Sequence, residues 1–479
     1  MDHTLYFRPE WTVGRYNAEK HAAIFYNLIE GMSYFFEEES ADVMGVILSF
    51  GRNGGFSLEE ISCQTNIEID TLIPFFEELI KLNLVTKTIP DPEGITGYRH
   101  AVADWKKKNP FSLDKSIKEK LPFEVSNAEL EYTKKVGGIT SVMLELTYNC
   151  SEQCIHCYNI GASHSENQIS HRDQIKGLDF EDYKKIIEEL YIQGLFKVSL
   201  SGGDPFSNPN AWDIIEYLHN KEIAFDILTN GQKLTGQTLK LAEYYPRSVG
   251  VSVYSSEPGI HDKITRVPGS WKKSIHVLEE LGDLSVPLNI KCCIMQPNFT
   301  TYKGIADIAK SVGGQPQFEV SVTDSVEGDK YVSQNLRLTP EQYKIVLRDA
   351  NIPLYVGPEA PNYGGQKKDM KSKGCGAGEN SFCIRPDGEV IPCCSFHLSF
   401  GNLRNKSIKE ILKSENLKEW LEYSLEDNKE CGREDYCNYC NLCPGLAYSE
   451  HGDFKKASEN CCYIAKIRYN LADKLRKNE

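Results

Sequence analysis

The segment YNCSEQCIHCY, residues 148–158, sets Cys150, Cys154 and Cys157 in a C-x3-C-x2-C spacing directly after a mostly apolar run at 142–146. Three thiolates so close together on one loop can cap three irons of a 4Fe–4S cube and leave the fourth iron open. An open iron can bind a substrate or cofactor directly. The competing readings are a zinc loop and a chance cluster, but zinc loops favour paired C-x2-C knuckles over this triplet. The rest of the chain has to decide between them.

The bulk composition narrows the class. A chain of 479 residues is expected to fold as two or three domains. Its net charge of −14 argues against a nucleic-acid partner, which would demand a basic face. Residues 1–15 are polar and charged, which reads against an export signal, and no apolar run approaches the length of a membrane span. Sixteen cysteines without such a signal point to metal rather than disulfides, in an oxygen-sensitive, iron-rich cytoplasmic protein. Their layout agrees: besides the triplet, ten lie between Cys375 and Cys462, leaving Cys63, Cys292 and Cys293 elsewhere.

Downstream of the triplet the pattern alternates strands and helices from Ile139 to about Val322, as a parallel α/β barrel requires. The run at 142–146 is the first strand, and it delivers the cysteine loop from its C-terminal end, where functional loops belong in α/β folds. An amphipathic helix is expected at 180–190. The next strand, 197–200, runs into Ser201-Gly202-Gly203-Asp204-Pro205, where two glycines let the backbone approach a ligand closely. Further strands are expected at 224–228, 250–253, 290–295 and 318–322. Cys292 and Cys293 fall mid-strand, so one should face the barrel interior and the other the helices.

Spacing and context together resemble the radical S-adenosylmethionine (SAM) enzymes. In that family an electron from the cluster splits SAM to a 5′-deoxyadenosyl radical, which takes a hydrogen atom from the substrate. The resemblance implies that Cys150, Cys154 and Cys157 hold the SAM-binding cluster, with Tyr158 as the aromatic residue after the last cysteine. Gly202, Gly203 and Asp204 resemble the Gly-Gly-Glu motif that binds the SAM amino group, with Asp in place of Glu. Ser252 matches a ribose-contacting position, Arg266 is placed for the SAM carboxylate, and Asn298 resembles a further SAM-contacting position.

The cysteine-rich tail is similar to the SPASM extension, which carries two auxiliary 4Fe–4S clusters in peptide-modifying members. Cys375 precedes a hairpin signal at Pro386-Asp387-Gly388-Glu389 and then Cys393, followed by a short helix at 407–412. Cys431, Cys437, Cys440, Cys443, Cys461 and Cys462 complete the set. The family's usual second block is C-x2-C-x5-C-x3-C; here the five-residue gap is kept, the upstream cysteine is absent and Cys443 is extra. The resemblance implies Cys375, Cys393 and Cys440, with Cys383 as a candidate fourth, for the first auxiliary cluster. Cys431, Cys437, Cys443 and one of Cys461 and Cys462 are implied for the second. A zinc-binding tail is the alternative.

Residues 1 to about 100 read as strands followed by three short helices: a hairpin at 22–36, a helix capped by Ser40, a helix with a Ser57–Glu60 capping box, and a helix at 70–82. Such a winged-helix-like unit could bind DNA, but its third helix, with Phe75, Phe76, Glu77 and Glu78, suits phosphates poorly. The order instead resembles the peptide-chaperone domain of pyrroloquinoline-quinone biosynthesis, whose fused copies recognise the leader of a precursor peptide by strand addition. Residues 101–138, Lys-rich and broken by Pro110 and Pro122, read as a linker.

The expected architecture is thus α/β: a winged-helix-like leader-recognition domain at 1–105, a linker at 106–138, a partial (β/α)6 radical SAM barrel at 139–335, and a SPASM domain at 336–479. The resemblance implies an oxidoreductase that uses SAM and three 4Fe–4S clusters to form thioether cross-links in a ribosomally made precursor peptide. An external donor such as flavodoxin or ferredoxin would supply electrons. Competing expectations are a carbon–carbon cross-linking maturase, an anaerobic sulfatase-maturase-like oxidase, and, from another class, an iron–sulfur winged-helix redox regulator. No side chain is singled out as a catalytic acid or base.

Overall fold

The computed structural model describes residues 4–109, 128–162, 176–325, 327–350, 352, 354–357, 365 and 367–477. Six parallel strands, Ser141–Thr147, Lys197–Gly202, Ala224–Thr229, Ser248–Ser252, Leu288–Cys293 and Gln315–Glu319, pair in chain order as the barrel requires. Their apolar alternation sends Val142, Leu144, Val198, Leu200, Ile227, Val249, Ile290 and Phe318 into one core with the covering helices. The expected first helix is Phe180–Ile192, closed by a reciprocal Asp179–Asp182 capping box and burying Tyr183, Ile186, Ile187 and Leu190. Several strands begin or end one to three residues from the expected bounds; the last is Gln315–Glu319 rather than 318–322.

The tail does not form a separate sheet. Strand Ser381–Ile384 joins the first barrel strand in parallel, Phe382 opposite Val142, and the hairpin then adds Glu389–Ile391 and Gly401–Asn402 antiparallel. A nine-stranded sheet results, and Cys383 and Cys394 of the tail lie near Glu145 of the first barrel strand.

In the N-terminal unit the strands Thr12–Asn17, Ala22–Asn27 and Met32–Glu37 form an antiparallel sheet. The central strand is buried on both faces. Ala23 and Phe25 join Val43, Met44, Leu72 and Phe76 of the unit's own helices, whereas Ile24 and Tyr26 meet Tyr132, Phe196 and Tyr245 at the barrel's N-terminal end. Burying a side chain of this size contributes about 1.5–3 kcal/mol, so the second face docks the unit firmly. The Ser57–Glu60 capping box is present. The first helix is Glu38–Ser49; Ser40 lies inside its first turn, donating to the Glu37 carbonyl, because the preceding strand runs directly into the helix.

The expected linker is partly helical. Helix Pro92–Lys108, started by Asp91 with Pro92 in its first turn, and helix Ala128–Val136 flank residues 110–127, which lie outside the described residues. The first of these clamps the N-terminal unit to the barrel. Arg99 donates to the carbonyls of Leu284 (3.0 Å) and Ala242 (2.8 Å), and Lys106 Nζ to those of Ile29 (2.8 Å) and Ser285 (3.2 Å).

Burial pushes the Lys106 ammonium down to about 7 from its ordinary 10.5. Between those values the unfolded chain holds a proton that the folded chain lacks, so this group makes stability rise with pH. Lys106→Met should remove that slope. Paired thermal melts from pH 7 to 9.5 are expected to show wild type gaining on the variant as pH rises; a constant difference would mean that the lysine stays charged.

Candidate active site

The C-terminal ends of the first two barrel strands build the cysteine loop's seat. Gly203 N donates to Thr147 O at 2.6 Å and Asp204 N to Asn149 O at 3.1 Å. A Cβ on Gly202, whose φ is +121°, would stand 2.3 Å from Thr147 O, and one on Gly203 2.4 Å from Tyr148 O. Asn159 Nδ2 donates to Gly202 O at 3.0 Å and ties the far end of the loop to the same turn. On its other side the loop leans on helix Pro258–Thr265: Gln153 N and Ile155 N donate to Thr265 O and Ile264 O, each at 3.0 Å. His156 packs edge-on against Tyr254, which stacks on His261.

Within this frame Cys154 has both Cys150 and Cys157 as neighbours. Burial first, then the charge of Glu152 and of the other two sulfurs, pushes the Cys154 thiol well up. Cys150 Sγ accepts from Asn230 Nδ2 at 3.3 Å and from Glu152 N at 3.4 Å, donors suited to a thiolate. None of the sixteen cysteines is in a disulfide. Soft sulfur donors on one loop, met by N–H groups and backed by a glycine turn, fit a 4Fe–4S cluster. Among the described residues no three His, Cys, Asp or Glu close around a single metal ion; a cube seats its thiolates on separate irons. A cleft of about 380 Å³ opens beside Cys150, lined by Ser151, Phe206, Asn208 and Lys233.

The expected SAM contacts divide into two kinds. Ser252 ends its strand beside Tyr254, and Arg266 caps helix Pro258–Thr265 at the cysteine loop. Asp204 and Asn298, by contrast, are fully buried and occupied. The Asp204 carboxylate accepts from Phe206 N (3.0 Å), Thr229 Oγ1 (2.6 Å) and Asn230 N (2.9 Å), and so holds Asn230 against Cys150. Asn298 Nδ2 donates to Tyr254 O (2.6 Å) and Cys293 O (2.8 Å), while its Oδ1 accepts from Met295 N (2.7 Å). Both side chains thus turn toward neighbouring loops, where they pin the strand ends. Tyr158 faces the tail, its hydroxyl against the Cys394 thiol.

Several interior residues escape a reading of the sequence. Glu145, 3% exposed, receives a hydrogen bond from Tyr148 Oη at 3.2 Å, and burial pushes its carboxyl up to about 7. Lys291 and Cys293 occupy the interior face of their strand, Cys292 the helix face. Alternation in the strand at 288–293 could have marked Lys291; nothing local marks Cys394.

The tail's cysteines lie in two neighbourhoods that meet at Cys443. Burial and the nearby Cys394, Cys443 and Cys375 push Cys393 up to about 12. Cys440 instead neighbours Cys461, Cys462 and Cys431, and Cys437 neighbours Cys431 and Cys462. Cys443, rather than Cys440, thus lies beside Cys375 and Cys393, and Cys461 is near it as well. The physical reason is local: Cys443 caps helix Pro444–His451, accepting from Leu446 N, while Cys440 closes the preceding turn against helix Glu459–Lys477. Cys383 is fully buried on the barrel-paired strand, near Glu145, Cys394 and Cys393. Cys443→Ala and Cys375→Ala are expected to lose the same iron, so the double variant loses no more than either alone. Adding Cys440→Ala should remove a second cluster. Iron and sulfide counts with Mössbauer spectra check this; additive losses for Cys375 and Cys443 would restore the other partition.

Residues 144–311 match the radical SAM superfamily, and residues 375–444 match the SPASM iron–sulfur cluster-binding domain. The chain thus carries a radical SAM domain followed by a SPASM domain. Among known proteins it is similar to the antilisterial bacteriocin subtilosin biosynthesis protein AlbA of Bacillus subtilis, 24% identical over 327 residues, 67% of this chain and 70% of that one. It is also 24% identical to the AdoMet-dependent heme synthase of Methanosarcina barkeri, over 67% of this chain and 95% of the relative. The fold is shared with Streptococcus suis SuiB, solved bound to its precursor peptide SuiA, at a TM-score of 0.56 and 14% identity, covering 95% of this chain and 99% of SuiB. Among the described residues no helix is long and apolar enough to cross a membrane.

Proposed function

We propose that the protein installs thioether cross-links, Cys sulfur to carbon, in a ribosomally made precursor peptide. The observation that carries this reading is the convergence of the two cysteine systems on one interior. Tyr158, next to the last cysteine of the SAM loop, touches Cys394, next to Cys393 of the tail. A substrate held there lies between a radical source and an electron acceptor. The names of two relatives, one for bacteriocin biosynthesis and one for a precursor-peptide complex, support a peptide substrate.

With a 4Fe–4S cluster and SAM bound at the loop, the site supplies a 5′-deoxyadenosyl radical able to take a hydrogen atom from carbon. The chain's own residues arrange the rest. The Gly202–Gly203 backbone, Ser252 and Arg266 present polar groups to SAM, and Asp204 and Asn298 hold those groups in place. Barrel and tail walls exclude water from the radical. The two tail groups would hold auxiliary clusters, which would supply an acceptor for the electron released when sulfur bonds to carbon. The N-terminal unit binds the leader, its terminal strand Met32–Glu37 offering the edge for strand addition, which raises the local concentration of the core segment. A flavodoxin or ferredoxin provides the reducing electron.

The test is anaerobic co-expression with the short peptide encoded beside the gene, then reduction, alkylation and mass spectrometry. Loss of two hydrogens per cross-link, with cysteines that resist alkylation, is the expected result. The same mass loss with every cysteine alkylated would sink the thioether reading and favour carbon–carbon bonds.

A further inference from the structure

Most charged groups along the barrel interior have close partners among the described residues. At the N-terminal end Glu129 joins Lys197 and Arg247, and Arg247 also meets Asp226 at 2.5 Å. Asp226 further accepts from Ser248 at 2.7 Å, so its carboxylate is occupied. Nearer the strand ends Glu319 accepts from the N–H groups of Val320 and Ser321. Lys291 has no carboxylate within ion-pair distance and makes no hydrogen bond among the described residues. Its side chain nevertheless has a prepared path: Ile290 and Cys292 face the covering helices, which turns Lys291 inward, and its stem crosses Gly250 of the neighbouring strand. A Cβ at Gly250 would stand 3.0 Å from Lys291 Cε and 2.8 Å from Leu228 Cδ2. Asp226, Cys293 and Cys394 are the titratable groups that surround the ammonium.

A half-buried ammonium that has given up part of its hydration without gaining a counter-charge is matched to an anion that arrives later. We propose that Lys291 binds the carboxylate of an Asp or Glu side chain in the core segment of the substrate peptide. The competing anion is the SAM carboxylate, since Ser252 beside Lys291 belongs to the SAM site in the same reading. Lys291 pairs in register with Ser252 and lies two residues before its strand ends, deeper than Arg266 and the glycine turn, which serve the loop. It also lies on the side of Cys394, toward the tail cysteines. The inference rests on the peptide-maturation reading and adds to it a substrate class, a core whose modified segment is acidic.

The experiment crosses enzyme and peptide variants. The peptide encoded beside the gene is made with each Asp or Glu changed singly to Asn or Gln, and kcat/KM is measured with wild type, Lys291→Met and Lys291→Arg. One amide substitution is expected to cost wild type roughly tenfold to a hundredfold, the scale of a hydrogen bond to a charged group. The same substitution should cost Lys291→Met nothing further, and Lys291→Arg should keep the preference for the acid, which also shows that the site tolerates substitution. Amide peptides processed as well as the parent by wild type, or equal losses in wild type and Lys291→Met, overturn the inference. So does loss of SAM binding by Lys291→Met in equilibrium dialysis, which would give the cation to the SAM carboxylate. A wild-type enzyme that leaves the parent peptide unmodified overturns the peptide-maturation reading itself, and this inference with it.

Discussion

Cys154→Ala is expected to reduce 5′-deoxyadenosine formation to background and to remove about four irons per chain, one cube, while the tail's clusters remain. Cys154 is the middle sulfur of the loop, with Cys150 and Cys157 both near it. Two thiolates left on an otherwise intact loop cannot retain a cube whose fourth iron is already without a protein ligand. The loop backbone should persist, because its seats on Thr147, Asn149, Ile264 and Thr265 are main-chain hydrogen bonds that the substitution leaves untouched. The readouts are iron and sulfide content, the electron paramagnetic resonance signal of the reduced protein and product analysis. Cys292→Ala, at a buried thiol on the helix face, is the control: it should keep all its iron and show only a modest fall in melting temperature. Full iron content in Cys154→Ala would remove the triplet from its assigned place.

How far the sequence leads depends on whether each feature is local. The cysteine loop, the glycine turn and the barrel strands are legible because ligand spacing, close backbone approach and apolar alternation are written within a few residues. Asp204 and Asn298 show the limit. Their positions in the motif series are readable, but the direction of each side chain depends on the loop across from it, and there both are saturated by backbone and hydroxyl donors. Helix Pro92–Lys108 reads partly as linker because its anchors, Arg99 and Lys106, bond to carbonyls far along the chain; the Asp91-Pro92 pair is its one local signal. The partition of Cys440 and Cys443 depends on how a turn and a helix pack, which spacing does not encode. The pairing of Ser381–Ile384 with the first barrel strand is equally non-local, and with it Cys383 comes near Glu145 and Cys394 near Tyr158.

Two glycine-to-alanine substitutions should move stability in opposite directions, and the contrast tests whether the Gly202–Gly203 turn is a seat for the loop. At Gly203 the added Cβ would lie 2.4 Å from Tyr148 O and 2.5 Å from Asn149 O, backbone atoms of the loop itself. Neither can yield as a flexible side chain would, so the turn and the loop must separate. The bond from Gly203 N to Thr147 O and the one from Asp204 N to Asn149 O are then strained or broken. Overpacking of this kind costs about 1–3 kcal/mol or more. The larger effect falls on function, because the displaced segment leads into Cys150, and Asp204 carries Asn230 away from that sulfur as it shifts. Gly203→Ala is therefore expected to lower the melting temperature, lose the loop's cluster on mild chelation and produce little 5′-deoxyadenosine. Gly97 is exposed inside helix Pro92–Lys108, and a Cβ added there would meet nothing within 4 Å. There alanine should stabilise by about 0.5–1 kcal/mol through reduced freedom of the unfolded chain. Equal behaviour of the two variants in melting and in cluster retention would mean that the loop does not rest on the turn, and the account of how the chain presents its three cysteines would fall with it.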